Sequence, residues 1–146
     1  MKFFKNQTVA GYLVDAATLL SFLGVIFYII TGTSGFLAGN AVDPWPIILS
    51  LLGVAIGVVL FLFAPKLPSW AIDVLLGALL IALSASFCLF IYDRLTLFAD
   101  VWFIPVNYPA AEKTWLGVSL IGIIFQIMSV IALIVAGFMD KLVKAE

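Results

Sequence analysis

The chain has 146 residues, of which 65% are hydrophobic and 10% are charged, and its formal net charge is −1. About a quarter of the residues of a soluble domain are charged. The composition therefore excludes a water-soluble fold of this size and predicts a protein whose solvent is lipid. The near-zero net charge gives no reason to expect a nucleic-acid partner.

Two residue counts limit the chemistry of the chain. Histidine is absent, and Cys88 is the one cysteine of the 146 residues. These counts exclude a disulfide within the sequence, and they exclude zinc, haem and copper sites built from clustered histidine or cysteine. Catalytic triads that depend on histidine are excluded as well. We therefore expect no metal and no cofactor, and we expect Cys88 to be a small buried packing residue.

Four apolar runs are long enough to cross a bilayer, and they cover about residues 9–31, 47–64, 70–92 and 114–139. A helix needs about 20 apolar residues to cross the hydrocarbon core, which is about 30 Å thick. The pattern predicts an all-α membrane protein in which residues 1–146 form one domain, an antiparallel bundle of four transmembrane helices. The first run is too long for the apolar core of a cleaved signal peptide.

The positive charges predict the orientation of the bundle. Cytoplasmic segments of membrane proteins carry the excess of lysine and arginine. On the side of the two termini lie five such residues, Lys2, Lys5, Lys66, Lys141 and Lys144, whereas the other side has Arg94 and Lys113. We therefore expect both termini to be cytoplasmic, in a multi-pass protein of the cell membrane.

The first of the two outer segments, residues 32–43, is rich in glycine and small residues. It ends in Asp43, which is a suitable N-cap for the second helix, because Pro44 follows it at the first helical position. The short segment on the other side, residues 65–69, predicts that the second and third helices are antiparallel neighbours.

The second outer segment, residues 93–108, is much longer than the usual median of about 4–6 residues. Pro105 and Pro109 exclude a continuous helix across its end. Asn107 is the predicted N-cap of the fourth helix, with Glu112 near the positive end of that helix. We predict that this segment folds into a structured extracellular cap.

The cap is the main candidate for a binding surface because it combines carboxylates, an arginine, an amide and aromatic side chains. Tryptophan and tyrosine commonly anchor a helix at the membrane interface. The remaining polar groups suit a cation, a sugar or a partner protein. The candidate cap-binding residues are Asp93, Arg94, Asp100, Trp102, Asn107, Tyr108 and Glu112.

Small residues recur at a spacing of four in the apolar runs. Gly53 and Gly57 form a G-x-x-x-G pattern, and Ala78 and Ala82 form a similar stripe in the third run. In lipid, close backbone approach rather than apolar burial holds helices together. We expect these stripes to pack the bundle internally. The alternative is that Gly53 and Gly57 face a partner subunit.

Three polar residues lie inside the apolar runs, and such residues are functional candidates by default. Asp15 and Asp73 are near cytoplasmic helix starts, where the positive helix end stabilises a carboxylate by roughly 0.3–1 kcal/mol. A structural role is the leading interpretation, and a proton or cation site is the alternative. Gln126 is near the middle of the fourth run, either on a substrate path or hydrogen-bonded to Ser21, Ser84 or Ser86.

The segment FIPVNYPAAE, residues 103–112, resembles a stretch found in an uncharacterised family of small four-span membrane proteins of Gram-positive anaerobic bacteria. The resemblance is distinctive in this segment alone. It implies the four-span fold and a bacterial cytoplasmic membrane. It implies no activity and no role for any residue.

Three functional classes are compatible with the sequence. The expected one is a non-catalytic accessory or interaction subunit that acts through the cap or the Gly53/Gly57 face, with the bilayer and either another membrane protein or a second copy as partners. The alternative is a small-solute or ion transporter or channel, working as an oligomer, with the two intramembrane aspartates and Gln126 along its path. A membrane enzyme would need the carboxylates of the cap to converge for acid–base chemistry. No motif supports an enzyme, so we expect none.

Overall fold

The computed structural model describes residues 7–104, 106, 108–139 and 142. These residues contain four α-helices, each long and apolar enough to cross a membrane. The predicted fold class, an all-α four-helix membrane bundle, is therefore confirmed. The helices are α1 (Val9–Gly32), α2 (Pro44–Phe63), α3 (Ser69–Phe103) and α4 (Glu112–Gly137).

The helices form a ring in chain order, because α1 packs against α2, α2 against α3, α3 against α4 and α4 against α1. The backbone N–H of Thr8 donates to the carbonyl oxygen of Leu142 at 3.0 Å, which brings the start of α1 beside the chain that follows α4. We call this end of the bundle, with residues 64–68, the terminal end. The opposite end, with residues 33–43, 104, 106 and 108–111, is the loop end.

The polarity of the bundle is the reverse of that in a soluble protein. Large apolar side chains in the middle of the helices are at least half exposed: Ile48, Leu52, Ile81, Ile124 and Ile131. Polar side chains at the same level are at most 1% exposed: Ser21, Ser50, Ser86, Gln126 and Ser129. Apolar surface of this extent is stable against lipid rather than water. The chain is therefore a multi-pass integral membrane protein.

The start of α2 follows the sequence prediction. The carboxylate of Asp43 accepts a hydrogen bond from the backbone N–H of Trp45 at 3.1 Å, and Pro44 occupies the first helical position. The carboxylate satisfies one of the donors that a helix start leaves without a partner, and proline lacks the donor that would be wasted there.

The end of α3 is the largest departure from the prediction. We predicted that the third span ends near Tyr92, but α3 continues to Phe103, so residues 93–103 are helical rather than a loop. The physical reason is in the sequence: between Gly77 and Pro105 there is no glycine or proline to stop the helix.

The contact between Ser50 and Ser86 fixes the register of α2 and α3, and it places the first turn of α2 level with the residues around Tyr92. At 1.5 Å per residue, the last 11 residues of α3 extend about 15 Å beyond the start of α2. We call residues 93–103 the α3 extension. The predicted cap is therefore built partly from a helix.

The start of α4 also differs from the prediction. The helix begins at Glu112, with Ala111 as its N-cap residue, and the carbonyl of Pro109 accepts the backbone N–H of Glu112 at 2.9 Å in the preceding turn. This start is too late for Asn107 to be the N-cap. Asn107 itself lies outside the described residues.

Glycines of α2 allow close packing at the centre of the bundle. A Cβ atom added at Gly57 would collide with the Thr18 side chain of α1, and one added at Gly53 would collide with Leu83 of α3. Both glycines are buried. The Gly53/Gly57 face is thus covered by the protein's own helices, and this leaves the partner-docking alternative without an exposed surface. On α3, Ala82 is buried and Ala78 is half-buried, whereas Cys88, which we predicted to be buried, is exposed.

Candidate functional site

A cluster of charged and polar groups lies at the loop end, where α1, α3 and the start of α2 meet. The Tyr28 hydroxyl donates to the Asp93 carboxylate at 2.5 Å and lies 3.2 Å from the backbone carbonyl of Asp43. The ring of Tyr28 is packed edge-on against Phe90, with centroids 4.8 Å apart. Tyr28 is 1% exposed, so it connects the three helices from inside the bundle.

Arg94 is the central residue of this cluster, and it is 4% exposed. Its guanidinium carbon lies 4.8 Å from the centroid of the Tyr28 ring and 5.8 Å from that of Phe90. Its Nη2 donates to the backbone carbonyl of Tyr28 at 3.4 Å, whereas its Nε is buried without a partner among the described residues. The sequence predicted that Arg94 lies in a loop of the cap, whereas it is a buried residue of α3. We call Tyr28, Asp43, Asp93 and Arg94 the loop-end cluster.

The loop-end cluster lines a cavity of about 180 Å³. Exposed residues of the first loop, Asn40 and Ala41, form its outer wall. The cavity is therefore lined by one arginine and two aspartates, and it is accessible from the loop end. Sequence analysis missed Tyr28, which carried no signal beyond that of an interfacial aromatic residue.

Glu112 holds the first loop against the start of α4. Its carboxylate accepts the backbone N–H of Phe36 at 2.7 Å, and it is 3% exposed. Gly35 has a positive φ of 64°, and an added Cβ there would lie 2.6 Å from Trp115 and 2.7 Å from the Glu112 carboxylate. Only glycine fits both the conformation and the space. Glu112 is therefore a buried loop anchor rather than an exposed binding group.

Tyr108 holds the second loop against the α3 extension. Its hydroxyl donates to the Asp100 carboxylate at 3.2 Å, and its ring packs edge-on against Phe36 with centroids 5.0 Å apart. Partial burial first, and then the hydrogen bond and charge of Asp100, raise the pKa of the Tyr108 hydroxyl above its ordinary value. The two loops therefore support each other through Phe36.

The predicted cap residues do not form one site. Asp93 and Arg94 belong to the loop-end cluster, Asp100 and Tyr108 pair with each other, and Glu112 binds Phe36. No two of these carboxylates share a hydrogen-bond partner among the described residues. Nor do any three acidic or cysteine side chains among them form a group that could hold a metal ion.

Trp102 belongs to a second, apolar feature of the loop end. It is 59% exposed, and its neighbour Phe103 is 84% exposed. We define the extension groove as the open groove of about 410 Å³ that these two residues line with Leu95, Phe98, Ala99 and Leu120. Five of its six residues belong to the α3 extension.

The three intramembrane polar residues of the predicted transport path are also separated. The Asp15 carboxylate accepts from Gln7 Nε2 at 2.9 Å, and Asp15 borders an apolar groove of about 260 Å³ between α1 and α2. Asp73 is exposed on α3, and Gln126 is 1% exposed inside the bundle.

Gln126 joins a polar layer at the centre of the bundle. Its Nε2 donates to Ser50 Oγ at 3.0 Å and to the Ser21 carbonyl at 3.4 Å. Ser50 Oγ lies 2.7 Å from Ser86 Oγ, and Ser129 Oγ donates to the Ala17 carbonyl at 2.7 Å. We call Ser21, Ser50, Ser86, Gln126 and Ser129 the central polar layer.

The layer contains at least one residue of each helix. The predicted contacts of Gln126 are partly seen, because Ser21 accepts through its backbone and Ser86 is reached through Ser50. Ser50 was missed, although it is the one serine of the second apolar run and so could have been considered. Among the described residues, two buried oxygens of the layer have no hydrogen-bond partner, Gln126 Oε1 and Ser21 Oγ.

Comparison of the chain with protein-family models, with curated proteins and with solved structures finds no match. A functional conclusion therefore depends on the geometry of the loop end and of the membrane-spanning helices.

Proposed function

We propose that the chain is a non-catalytic membrane subunit that binds a helix of another membrane protein in the extension groove. The observation that carries this proposal is the exposed apolar surface of the α3 extension, with Trp102 and Phe103 at its end. A contiguous exposed apolar surface of this kind is typical of interaction sites.

The level of the groove in the bundle separates it from the lipid-facing surfaces. Ile81 in the middle of α3 is 71% exposed, and lipid tails cover such a residue. The α3 extension lies beyond the start of α2, where the Trp45 side chain is exposed at the expected depth of the interface. Lipid tails do not reach the far end of the extension, so its apolar side chains favour a protein partner.

The shape of the groove favours a helical occupant. Its residues come from two neighbouring helices, with Leu95, Ala99 and Trp102 at helical spacing on α3 and Leu120 on α4. An apolar helix face fits a groove between two helices through residues spaced three and four apart. The partner's transmembrane helix would therefore continue past the membrane surface, as α3 does.

The proposal is tested by Trp102→Ser and its matched control Trp70→Ser. Both tryptophans are exposed on α3, at opposite ends of the helix. We expect a partner that co-purifies stoichiometrically in mild detergent to be lost with Trp102→Ser and kept with Trp70→Ser. A protein that purifies without a stoichiometric partner from its native membrane, or a partner lost equally with both variants, contradicts the proposal. If the co-purified chain is a second copy, the subunit is a homo-oligomer.

We further propose that the loop end faces outward from a bacterial cytoplasmic membrane. The distribution of lysine and arginine supports the orientation, and the resemblance of residues 103–112 supports the location. In a Cys88→Ser background, an impermeant thiol reagent on intact cells should label Ala41→Cys and not Lys66→Cys. Both positions are exposed, so the opposite pattern would reverse the orientation.

A transporter is the second candidate, and one observation favours it. Asp15 is a half-buried residue at the edge of an apolar groove, beside Gly57 and Thr18. A carboxylate in such a setting can exchange a proton. We would then expect Asp15→Asn to abolish the decay of a pH gradient in proteoliposomes, with Asp73→Asn, an exposed carboxylate at the same end, as the matched control. Equal decay for all proteins and for empty liposomes would exclude this candidate.

A further inference from the structure

The buried arginine of the loop-end cluster is attracted by the nearby Asp93 carboxylate but forms no direct ion pair with it among the described residues. Arg94 is 4% exposed, and the described residues give its guanidinium one long hydrogen bond, to the Tyr28 carbonyl at 3.4 Å, and no ion pair. Its Nε is buried without a partner. A buried arginine is normally paired, because its desolvation is costly.

The position of the guanidinium is already fixed without such a partner. It lies over the ring of Tyr28 at 4.8 Å and near that of Phe90 at 5.8 Å. Stacking of this kind holds the planar group and leaves the terminal Nη donors at its edge, whereas Nε has no accessible surface. The edge is a planar fork of donors that matches the two oxygens of a carboxylate or a phosphate. One part of a ligand for this cavity is therefore an anionic oxygen group.

The two aspartates of the cavity indicate the charge of the other part of the ligand. Asp43 accepts from the Trp45 backbone, and Asp93 accepts from the Tyr28 hydroxyl. An ionised carboxylate has about four acceptor positions, so each retains capacity for a further donor. With two carboxylates against one guanidinium, a simple anion would meet net repulsion. A ligand with an ammonium beside its anionic group would satisfy both charges.

We propose that the cavity lined by Asp43, Asp93 and Arg94 binds a small zwitterionic group, with its anionic oxygens on Arg94 and its ammonium on the two carboxylates. The cavity measures about 180 Å³. A water molecule occupies about 30 Å³ of the liquid, so the space suits a group of roughly six non-hydrogen atoms. A free amino acid and the headgroup of an ethanolamine phospholipid share this chemistry. The site is separate from the extension groove and does not depend on the proposed partner.

The test measures the binding of four probes to the full chain in phosphatidylglycerol nanodiscs, by isothermal titration calorimetry. Free glycine and phosphoethanolamine carry both charges, whereas acetate and ethylamine each carry one. We expect at least one of the two zwitterions to bind at least about tenfold more tightly than acetate or ethylamine. Only a zwitterion can pair with the arginine and with the aspartates of the cavity at the same time. Binding of neither zwitterion, or acetate binding as tightly as the zwitterions, overturns the proposal.

Three variants assign the binding to this cavity. Arg94→Gln should weaken zwitterion binding about tenfold or more, because it removes the charged donors. Asp43→Asn should weaken it about two- to fivefold without weakening acetate, and asparagine still caps α2. Asp100→Asn is the control, since its carboxylate pairs with Tyr108 away from the cavity, and it should change nothing. If Arg94→Gln does not fold, Asp43→Asn still decides: unchanged zwitterion binding in that variant overturns the assignment.

The source of the zwitterion is resolved by the composition of the nanodisc. If phosphatidylethanolamine in the bilayer reduces the apparent affinity for the soluble zwitterion, the lipid headgroup occupies the same cavity. If the affinity is unchanged, the cavity takes a soluble zwitterion such as an amino acid. Either result supports a zwitterion site, provided that Arg94→Gln or Asp43→Asn has weakened the binding.

Discussion

Two polar regions lie inside the same bundle, and they are built from different chemistry. The central polar layer consists of serine hydroxyls and one glutamine amide, all neutral. The loop-end cluster contains a guanidinium, two carboxylates and a phenol. On α1 the two regions are seven positions apart, from Ser21 to Tyr28, or roughly 10 Å along the helix axis.

Depth in the bilayer accounts for this difference. A charged side chain at the bilayer centre costs about 2.5–3.5 kcal/mol on insertion scales, whereas near the interface water can reach it. Neutral groups at the centre can bond with one another across the helices, as Gln126, Ser50 and Ser86 do. At the loop end the charged groups border a cavity instead. Similar polar signals in the sequence therefore correspond to packing in one region and to a cavity lined by charged residues in the other.

The largest effect that we predict comes from removing the Gln126 side chain. Gln126→Ala leaves a cavity in a closely packed layer, and we expect it to lower the free energy of unfolding by about 2–4 kcal/mol. Gln126→Leu keeps most of the volume and removes the hydrogen bonds, so it should lower it by less than about 1 kcal/mol. Reversible unfolding in mixed micelles, followed by circular dichroism, measures both. Equal large losses would mean that hydrogen bonds rather than packing hold the layer.

Substitutions at two glycines of α1 allow a direct comparison of the packing in the two regions. A Cβ added at Gly24 would lie 2.7 Å from the Gln126 side chain, whereas one added at Gly32 would lie 3.2 Å from the Arg94 guanidinium. We expect Gly24→Ala to lower the free energy of unfolding by about 1–3 kcal/mol through overpacking. Gly32→Ala, the matched control, should change it by less than about 1 kcal/mol, because the cavity beside Arg94 leaves room for movement. Equal losses would contradict the difference in packing.

The parts of the fold that depend on local sequence could be predicted. Apolar run length identifies each span, and the Asp43–Pro44 pair identifies the start of α2, because both signals lie within a few residues of the structure they specify. The continuation of α3 to Phe103 could also have been found. The absence of glycine and proline before Pro105 favoured a helix, and a long loop without structure is itself unusual in a compact domain.

The site could not be predicted in the same way, because its contacts join residues far apart in the chain. The Tyr28–Asp93 hydrogen bond spans 65 positions, and the Glu112 contact with Phe36 spans 76. Arg94 was predicted to lie in a loop. It is buried because α3 continues past it and because the ring of Tyr28 covers its guanidinium. The wrong prediction of one helix boundary, the end of α3, therefore led to a wrong local structure for several cap residues at once.

Single hydrogen bonds should contribute less than packing in either region. Tyr28→Phe removes the donor to the Asp93 carboxylate, and we expect a loss of about 1 kcal/mol, because water in the adjacent cavity replaces part of that contact. Ser129→Ala removes the bond to the Ala17 carbonyl at the centre, for which about 0.6 kcal/mol is expected. Unfolding of both variants in mixed micelles measures the difference. A loss of several kcal/mol for Ser129→Ala would show that central hydrogen bonds are stronger than the comparison implies.

The smallest effect that we predict is a pH dependence of stability at the loop end. The central polar layer has no titratable group and therefore shows no such dependence. Tyr108 at the loop end has a raised pKa, so its contribution to stability is complete below the ordinary value of about 10 and is lost as the pH rises through the folded-state value. Difference absorbance of tyrosinate between the parent and Tyr108→Phe gives the midpoint, which we expect above 10. Asp100→Asn should lower that midpoint, whereas Asp73→Asn, an exposed carboxylate at the terminal end, should leave it unchanged. A midpoint that is insensitive to Asp100→Asn would mean that the Asp100–Tyr108 contact does not hold the second loop in solution.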